Sequence, residues 1–166
     1  KPGDVFWLTN PHFIKLSSQV KKVLTLHDLS FLHWPEFFSQ KKRWWYIPQV
    51  TKLLQNINDF DLVFCVSEHT RKDLLQFVPN VKSKVEVVYP GLDDIYYSIP
   101  PVGLISANKI KYSLPAQYIL TVGTLEPRKN HLTILKAFEQ LCADNRFTHD
   151  LVMVGPLGWH YQSLFK

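Results

Sequence analysis

A chain of 166 residues and 19.4 kDa holds one ordinary domain or parts of two. Its 46% hydrophobic content, with 11 Phe, 7 Tyr and 5 Trp, excludes a disordered polymer, and no apolar run reaches membrane-spanning length. A formal net charge of +5 and a pI near 9.2 suit nucleotide-sugars, acidic lipid surfaces or nucleic acid without choosing among them.

Asp4 to Thr9 is a short β-rich run that ends at the Asn10-Pro11 turn, and Lys21 to Leu26 is a second. His27 and Asp28 therefore fall where a strand gives way to a loop, the position at which open α/β sheets place ligands. A hydrogen-bonded surface histidine with a turn-capping aspartate fits the same residues. Leu29 to Phe38 is aromatic and irregular, facing a cleft or packed on the core. Ser39 stands before a helical stretch from Gln40 to Asn58, which Pro48 should kink or restart. Its early turns carry Lys41, Lys42, Arg43, Trp44 and Trp45, a mixture that fits a solvated face, a membrane surface or nucleic acid.

Asp61 to Val66 reads as a buried strand. Ser67 is placed to cap a helix from Glu68 to about Phe77 that offers Leu74, Leu75 and Phe77 to the core. Val85 to Val88 supplies a further strand, ended by Tyr89-Pro90-Gly91. From Asp93 to Leu114 clean periodicity is lost, and Pro100-Pro101, Gly103, Ser106 and Asn108 read as linker chemistry.

Tyr118 to Val122 is a strand bounded by Gly123, and Gly123 to Lys129 is a loop shaped by Gly123 and Pro127. Asn130 is placed as N-cap of an amphipathic helix whose stripe runs through Leu132, Leu135, Phe138 and Leu141, widened by Ile134 and Ala137. Polar Asp144-Asn145-Arg146 and the strand Leu151 to Pro156 follow, which makes a parallel βαβ unit. A helix N-terminus after such a loop suits phosphate, and Arg128 and Lys129 stand at its mouth. Spacing leaves a diphosphate site and a solvated basic turn level, because the loop matches neither common phosphate-binding glycine motif. Cys65 and Cys142 read as packing residues, as in a protein of a reducing cytoplasm, and Lys1 is followed by no signal-like segment.

The wording of four segments adds what spacing lacks. Val122-Gly-Thr-Leu-Glu-Pro-Arg-Lys-Asn130 with Leu135-Lys-Ala-Phe138 resembles the donor-binding loop of the group one retaining glycosyltransferases, in their mannosyltransferase-like branch. His27-Asp28-Leu29-Ser30-Phe31, Val66-Ser67-Glu68-His69-Thr70 and Val88-Tyr89-Pro90-Gly91-Leu92-Asp93 resemble that family's other landmarks, in the family's order.

The resemblance implies an α/β fold of Rossmann-like parallel sheet units in the GT-B arrangement, both domains incomplete. Residues 1–98 would be the later part of the acceptor-side domain, 99–114 a hinge-like linker, and 115–166 the start of the nucleotide-sugar domain. It implies transfer of a sugar, mannose in that branch, from a nucleotide diphosphate sugar to an acceptor hydroxyl of a saccharide or lipid-linked acceptor, with retention. That is the chemistry of polysaccharide and lipopolysaccharide synthesis.

His27, Arg128 and Lys129 are the implied catalytic residues. Asp28, Ser67, Gly123, Thr124 and Asn130 are the implied substrate-binding ones, with Arg71 a secondary contact. No cofactor and no metal are implied, since protein cations take the metal's place. The residues themselves, rather than the resemblance, suggest the rest: cysteine usage a cytoplasmic setting, and the basic-aromatic cluster Lys41, Lys42, Arg43, Trp44 and Trp45 peripheral contact with anionic membrane, with no nucleic acid.

The sequence departs from the family in three places. Thr124 stands where many relatives carry Arg, and neither the later acidic motif nor the early glycine-rich segment has a counterpart, which reads as an inactive internal fragment. A non-catalytic interaction domain and a basic nucleic-acid-binding domain are the alternatives.

Overall fold

The computed structural model describes residues 3–12, 14, 15, 17, 19–143 and 147–165, in two compact units, residues 1–92 and 93–166. The first unit is a four-stranded parallel sheet in the order β1 (Val5–Leu8), β2 (Lys21–Leu26), β3 (Leu62–Cys65), β4 (Lys84–Val87). Leu24 pairs with Leu8 on one side and Val63 on the other, and Val63 in turn with Val85. Each strand lies beside its predecessor, so right-handed crossovers carry every connection over the same face. That is why the core is one-sided. Leu24, Leu26, Val63 and Cys65 are sealed, whereas Val23, Thr25, Leu62 and Phe64 on the other face are only half-buried. Asp61 to Val66 is accordingly not the strand buried on both faces that its apolar run announces.

The covering layer contains α1 (Ser30–His33), a 3₁₀ turn at Pro35–Phe37, α2 (Ile47–Gln55) and α3 (Glu68–Phe77). Val50, Leu53 and Leu54 of α2 recur at helical spacing and join Ile57, Leu29, Phe31, Phe38 and Leu74 against the sheet. Within α3, Leu74 alone of the three expected apolar residues is sealed, while Leu75 and Phe77 are 41% and 38% exposed. Pro48 acts on the turn before it. It cannot donate a backbone hydrogen bond, and its ring crowds the preceding carbonyls, so Lys42–Tyr46 widens to a π-turn before α2 begins. The helical run ends at Gln55, three residues before the expected Asn58, and a 3₁₀ turn at Ile57–Asp59 follows.

The second unit contains α4 (Val102–Lys111) and a two-stranded parallel sheet of β5 (Tyr118–Val122) and β6 (Asp150–Val154), bridged by α5 (His131–Cys142). The stretch read as an irregular linker thus contains a ten-residue helix. Its apolar residues are scattered rather than striped, and none is buried. The covered face of α5 is His131, Ile134, Leu135 and Phe138, whereas Leu132 and Leu141 are 44% and 45% exposed. Cys142, expected to pack, is exposed beyond the last covered turn. The polar turn at 144–146 lies outside the described residues.

Candidate active site

Each unit presents one cluster at the carboxyl ends of its strands, where open parallel sheets bind ligands. In the first unit His27 directly follows β2 and is exposed. Its Nε2 donates to the Thr9 carbonyl at 2.9 Å, tying the ends of β1 and β2 and leaving Nδ1 as the other ring nitrogen. The His27 carbonyl accepts from Thr70 Oγ1 at 3.0 Å. Ser67 is engaged by the same threonine, its Oγ accepting from Thr70 N at 3.1 Å as N-cap of α3. Thr70 is buried and joins the two candidate residues, though nothing in its type or spacing distinguishes it from a surface helix residue.

Asp28 Oδ1 accepts from Ser30 N at 3.0 Å and Ser30 Oγ at 2.6 Å, so its carboxylate shapes the entry to α1. Tyr46 leans towards this corner, packing edge-on against Phe31 with centroids 5.3 Å apart. Burial, and secondarily the Asp28 charge, raise its phenol above the usual range. Arg71 pairs with Glu68 at 3.4 Å, one turn into α3.

In the second unit the segment after β5 continues beside the segment after β6. Gly123 N donates to Val154 O at 2.8 Å, Leu125 N to Pro156 O at 2.9 Å, and Gly158 N to Leu125 O at 3.0 Å. Two glycines make this approach possible. A Cβ on Gly155 would stand 2.0 Å from the Gly123 carbonyl oxygen, and one on Gly158 would stand 2.9 Å from Thr124 Cγ2.

Gly123 itself has φ +157°, and the methylenes of Lys129 lie 3.8 Å from where its Cβ would be. Lys129 therefore folds back over the glycine that ends β5. The intervening Pro127–Lys129 is a 3₁₀ turn that brings Arg128 Nη2 to 2.6 Å from Glu126 Oε1. Glu126 is 4% exposed, and its charge leaves one net positive charge from Arg128 and Lys129 together.

Asn130 precedes α5 as expected but does not cap it with its side chain. It adopts the left-handed conformation, φ +52° and ψ 39°, and its Oδ1 accepts from the Thr133 hydroxyl at 2.9 Å. Asparagine tolerates that conformation better than most residues. The first helical residue, His131, is buried and donates from Nε2 to the Thr124 carbonyl at 3.1 Å, fixing the loop to the helix start. Glu126, His131, Gly155 and Gly158 were not among the sequence candidates. Periodicity could have found only His131, at the head of the buried stripe.

The structure thus gathers Gly123, Thr124, Arg128, Lys129 and Asn130 at one turn, and His27, Asp28 and Ser67 at another. Among the described residues no group of three or more His, Cys, Asp or Glu is placed to hold a metal ion, and no helix is long and apolar enough to cross a membrane.

Comparison with known proteins agrees with this architecture. The chain is 27% identical over 165 residues to O-antigen chain mannosyltransferase B of Escherichia coli, covering 99% of itself and 40% of that protein. It is 31% identical over 114 residues to the serotype-specific mannosyltransferase WbdA of E. coli, covering 63% of itself and 14% of WbdA. A solved structure described as trehalose-6-phosphate from E. coli bound with UDP-2-fluoro glucose superposes with a TM-score of 0.54 at 16% identity, covering 87% of this chain and 42% of that one. The chain spans less than half the length of each, and the expected parallel α/β fold of GT-B type is met. The profile of Glycosyltransferase Family 4 matches residues 5–95, more than half of the sequence, and the chain belongs to that family of glycosyltransferases.

Proposed function

We propose that the protein transfers a hexose, mannose in the first instance, from a nucleotide diphosphate sugar to a hydroxyl of a saccharide or lipid-linked acceptor, with retention of anomeric configuration. The carrying observation is the 123–131 turn. There Lys129 lies over Gly123, Arg128 is held by Glu126, and the α5 start has no side-chain cap. Cleavage of a sugar–phosphate bond places negative charge on the departing diphosphate. A preoriented guanidinium, an ammonium and a helix N-terminus stabilise that charge without reorganising. Loss of one such donor raises the barrier by about 3 kcal/mol, a rate loss of roughly a hundredfold or more.

His27 takes the role the resemblance gives it, contact with the transferred sugar, and its bond to Thr9 fixes the ring for that purpose. Asp28 and Ser67 support the same corner through the turns they cap. The mannosyltransferase names of the E. coli relatives support the choice of sugar, and the UDP-sugar in the solved neighbour supports the donor class. No cofactor enters this scheme.

The test is to incubate a protein carrying these residues at the full length of its relatives with mannose and glucose donors of each nucleotide base and an oligosaccharide acceptor, then assign the product anomer by NMR. An α-linked product from an α-linked mannose donor is expected. Inversion, or no turnover with any donor while diphosphate binding persists, contradicts the reading.

A further inference from the structure

The covered stripe of α5 opens on an imidazole. His131 is 4% exposed, and its Nδ1 is sealed from solvent without a hydrogen-bond partner. A buried polar atom left unpaired is destabilising, and a leucine or phenylalanine at the head of the same stripe would avoid it. Packing alone therefore does not account for a histidine here. The ring's hydrogen bond runs from Nε2 to the Thr124 carbonyl at 3.1 Å, and because a carbonyl only accepts, Nε2 carries the hydrogen.

That bond falls on a peptide group that is held at its other end as well. Thr124 contributes the carbonyl and Leu125 the N–H of one planar unit, and the Leu125 N–H donates to the Pro156 carbonyl at 2.9 Å. The oxygen is thus turned to the buried imidazole and the N–H to the segment after β6, so the plane cannot rotate without breaking both bonds. Gly123 N on Val154 O and Gly158 N on Leu125 O pin the chain to that segment on either side, at 2.8 Å and 3.0 Å. Those backbone bonds are open to any residue at position 131. The bond to the Thr124 oxygen depends on this side chain.

The pinned peptide lies between Gly123 and Arg128. A carbonyl oxygen carries partial negative charge, so one swung toward a bound phosphate repels it, whereas the same oxygen tied back adds nothing negative to the turn. Glu126, the acidic side chain of this loop, is likewise occupied, by Arg128 at 2.6 Å.

We propose that His131 is a positioning residue for the nucleotide-sugar: its Nε2–H holds the Thr124 carbonyl away from the diphosphate, and so sets donor affinity from behind the turn without touching the ligand. The inference rests on the reading of the 123–131 turn as a diphosphate site and adds to it a residue that the ligand does not reach.

The test compares the parent chain with His131→Leu, which keeps bulk and removes the hydrogen-bond donor, and His131→Gln, whose amide nitrogen reaches the place of Nε2. Isothermal titration with pyrophosphate should show about tenfold weaker binding in His131→Leu, and His131→Gln should return to within about threefold of the parent. Hydrogen exchange at the Leu125 amide, read by NMR without ligand, should quicken about tenfold in the leucine variant and recover in the glutamine one. The ring nitrogens of His131 in the parent should give the NMR signature of the Nε2–H tautomer.

Pyrophosphate binding that Arg128→Ala weakens and His131→Leu leaves unchanged overturns the positioning role and keeps the diphosphate reading. Absence of pyrophosphate binding in the parent overturns both. A glutamine variant that unfolds at the parent's temperature yet does not recover affinity reduces His131 to a packing residue. An Nδ1–H tautomer in the parent contradicts the bond itself, even if neither variant folds.

Discussion

The carboxylate of Glu126, 4% exposed, stands 2.6 Å from Arg128 Nη2, whose side chain is 36% exposed. An almost buried acid thus aims a half-exposed cation. Glu126→Gln keeps the shape and removes the charge, which should cost about 1 kcal/mol, less than a fully buried pair because water screens one partner. Arg128→Lys keeps the charge but loses the planar fork, so it should weaken diphosphate binding about tenfold with little change in stability. Urea unfolding and calorimetric titration with a nucleoside diphosphate check the two effects separately.

The glycine contacts predict an opposed pair. Gly155→Ala places a methyl 2.0 Å from the Gly123 oxygen, so β6 or the loop must shift, costing about 3 kcal/mol and displacing the turn that bears Lys129. Gly103→Ala, in α4 with nothing within 4 Å of the new Cβ, should stabilise by about 0.5–1 kcal/mol. Thermal unfolding of both variants measures the contrast.

Ser67 Oγ caps α3, so Ser67→Ala should lose about 1 kcal/mol in denaturant unfolding and Ser67→Asp should recover most of it. If Ser67→Asp restores stability but not turnover, the hydroxyl also serves substrate.

Asp61 joins the starts of β2 and β3 by accepting from Lys21 Nζ at 2.7 Å and Lys22 N at 2.9 Å. The Lys21 hydrogen bond first, then that of Lys22, hold its carboxyl below the ordinary carboxylate value. Its contribution to stability is therefore complete above that ordinary value and is lost as pH falls through the lowered one. Asp61→Asn should flatten the acid limb of a stability–pH curve and leave its neutral-to-alkaline part parallel to the parent.

The two thiols should separate in reactivity. Burial pushes Cys65 up to about 11, keeping it a protonated core group, whereas Cys142 is exposed. At neutral pH a maleimide should label Cys142 quickly and reach Cys65 only on unfolding. Rapid double labelling of the folded chain would contradict the packing of β3.

Strands and the α3 start were legible because their signals are local: the β-rich run Lys21–Leu26 is a strand as read, and Ser67 caps where its hydroxyl predicts. The phosphate-suited turn was legible for the same reason, since Gly123 and Pro127 constrain their own backbone. What escaped depends on partners distant in sequence. Glu126 is an ordinary polar loop residue until the 155–158 segment closes over it, and Gly155 matters only because Gly123 lies opposite. The one-sided core was hidden because β3 is apolar at every position, while the strand order decides which face is covered. α4 has no apolar stripe, and none of its residues is buried among the described residues.

The central claim is that the Gly123–His131 turn holds a diphosphate. Isothermal titration of pyrophosphate and of nucleoside diphosphates into the parent chain, Arg128→Ala and Lys129→Ala tests it most directly. The account predicts binding by the parent and a loss of about a hundredfold, close to 3 kcal/mol, in each variant. Equal affinities in all three chains would contradict it.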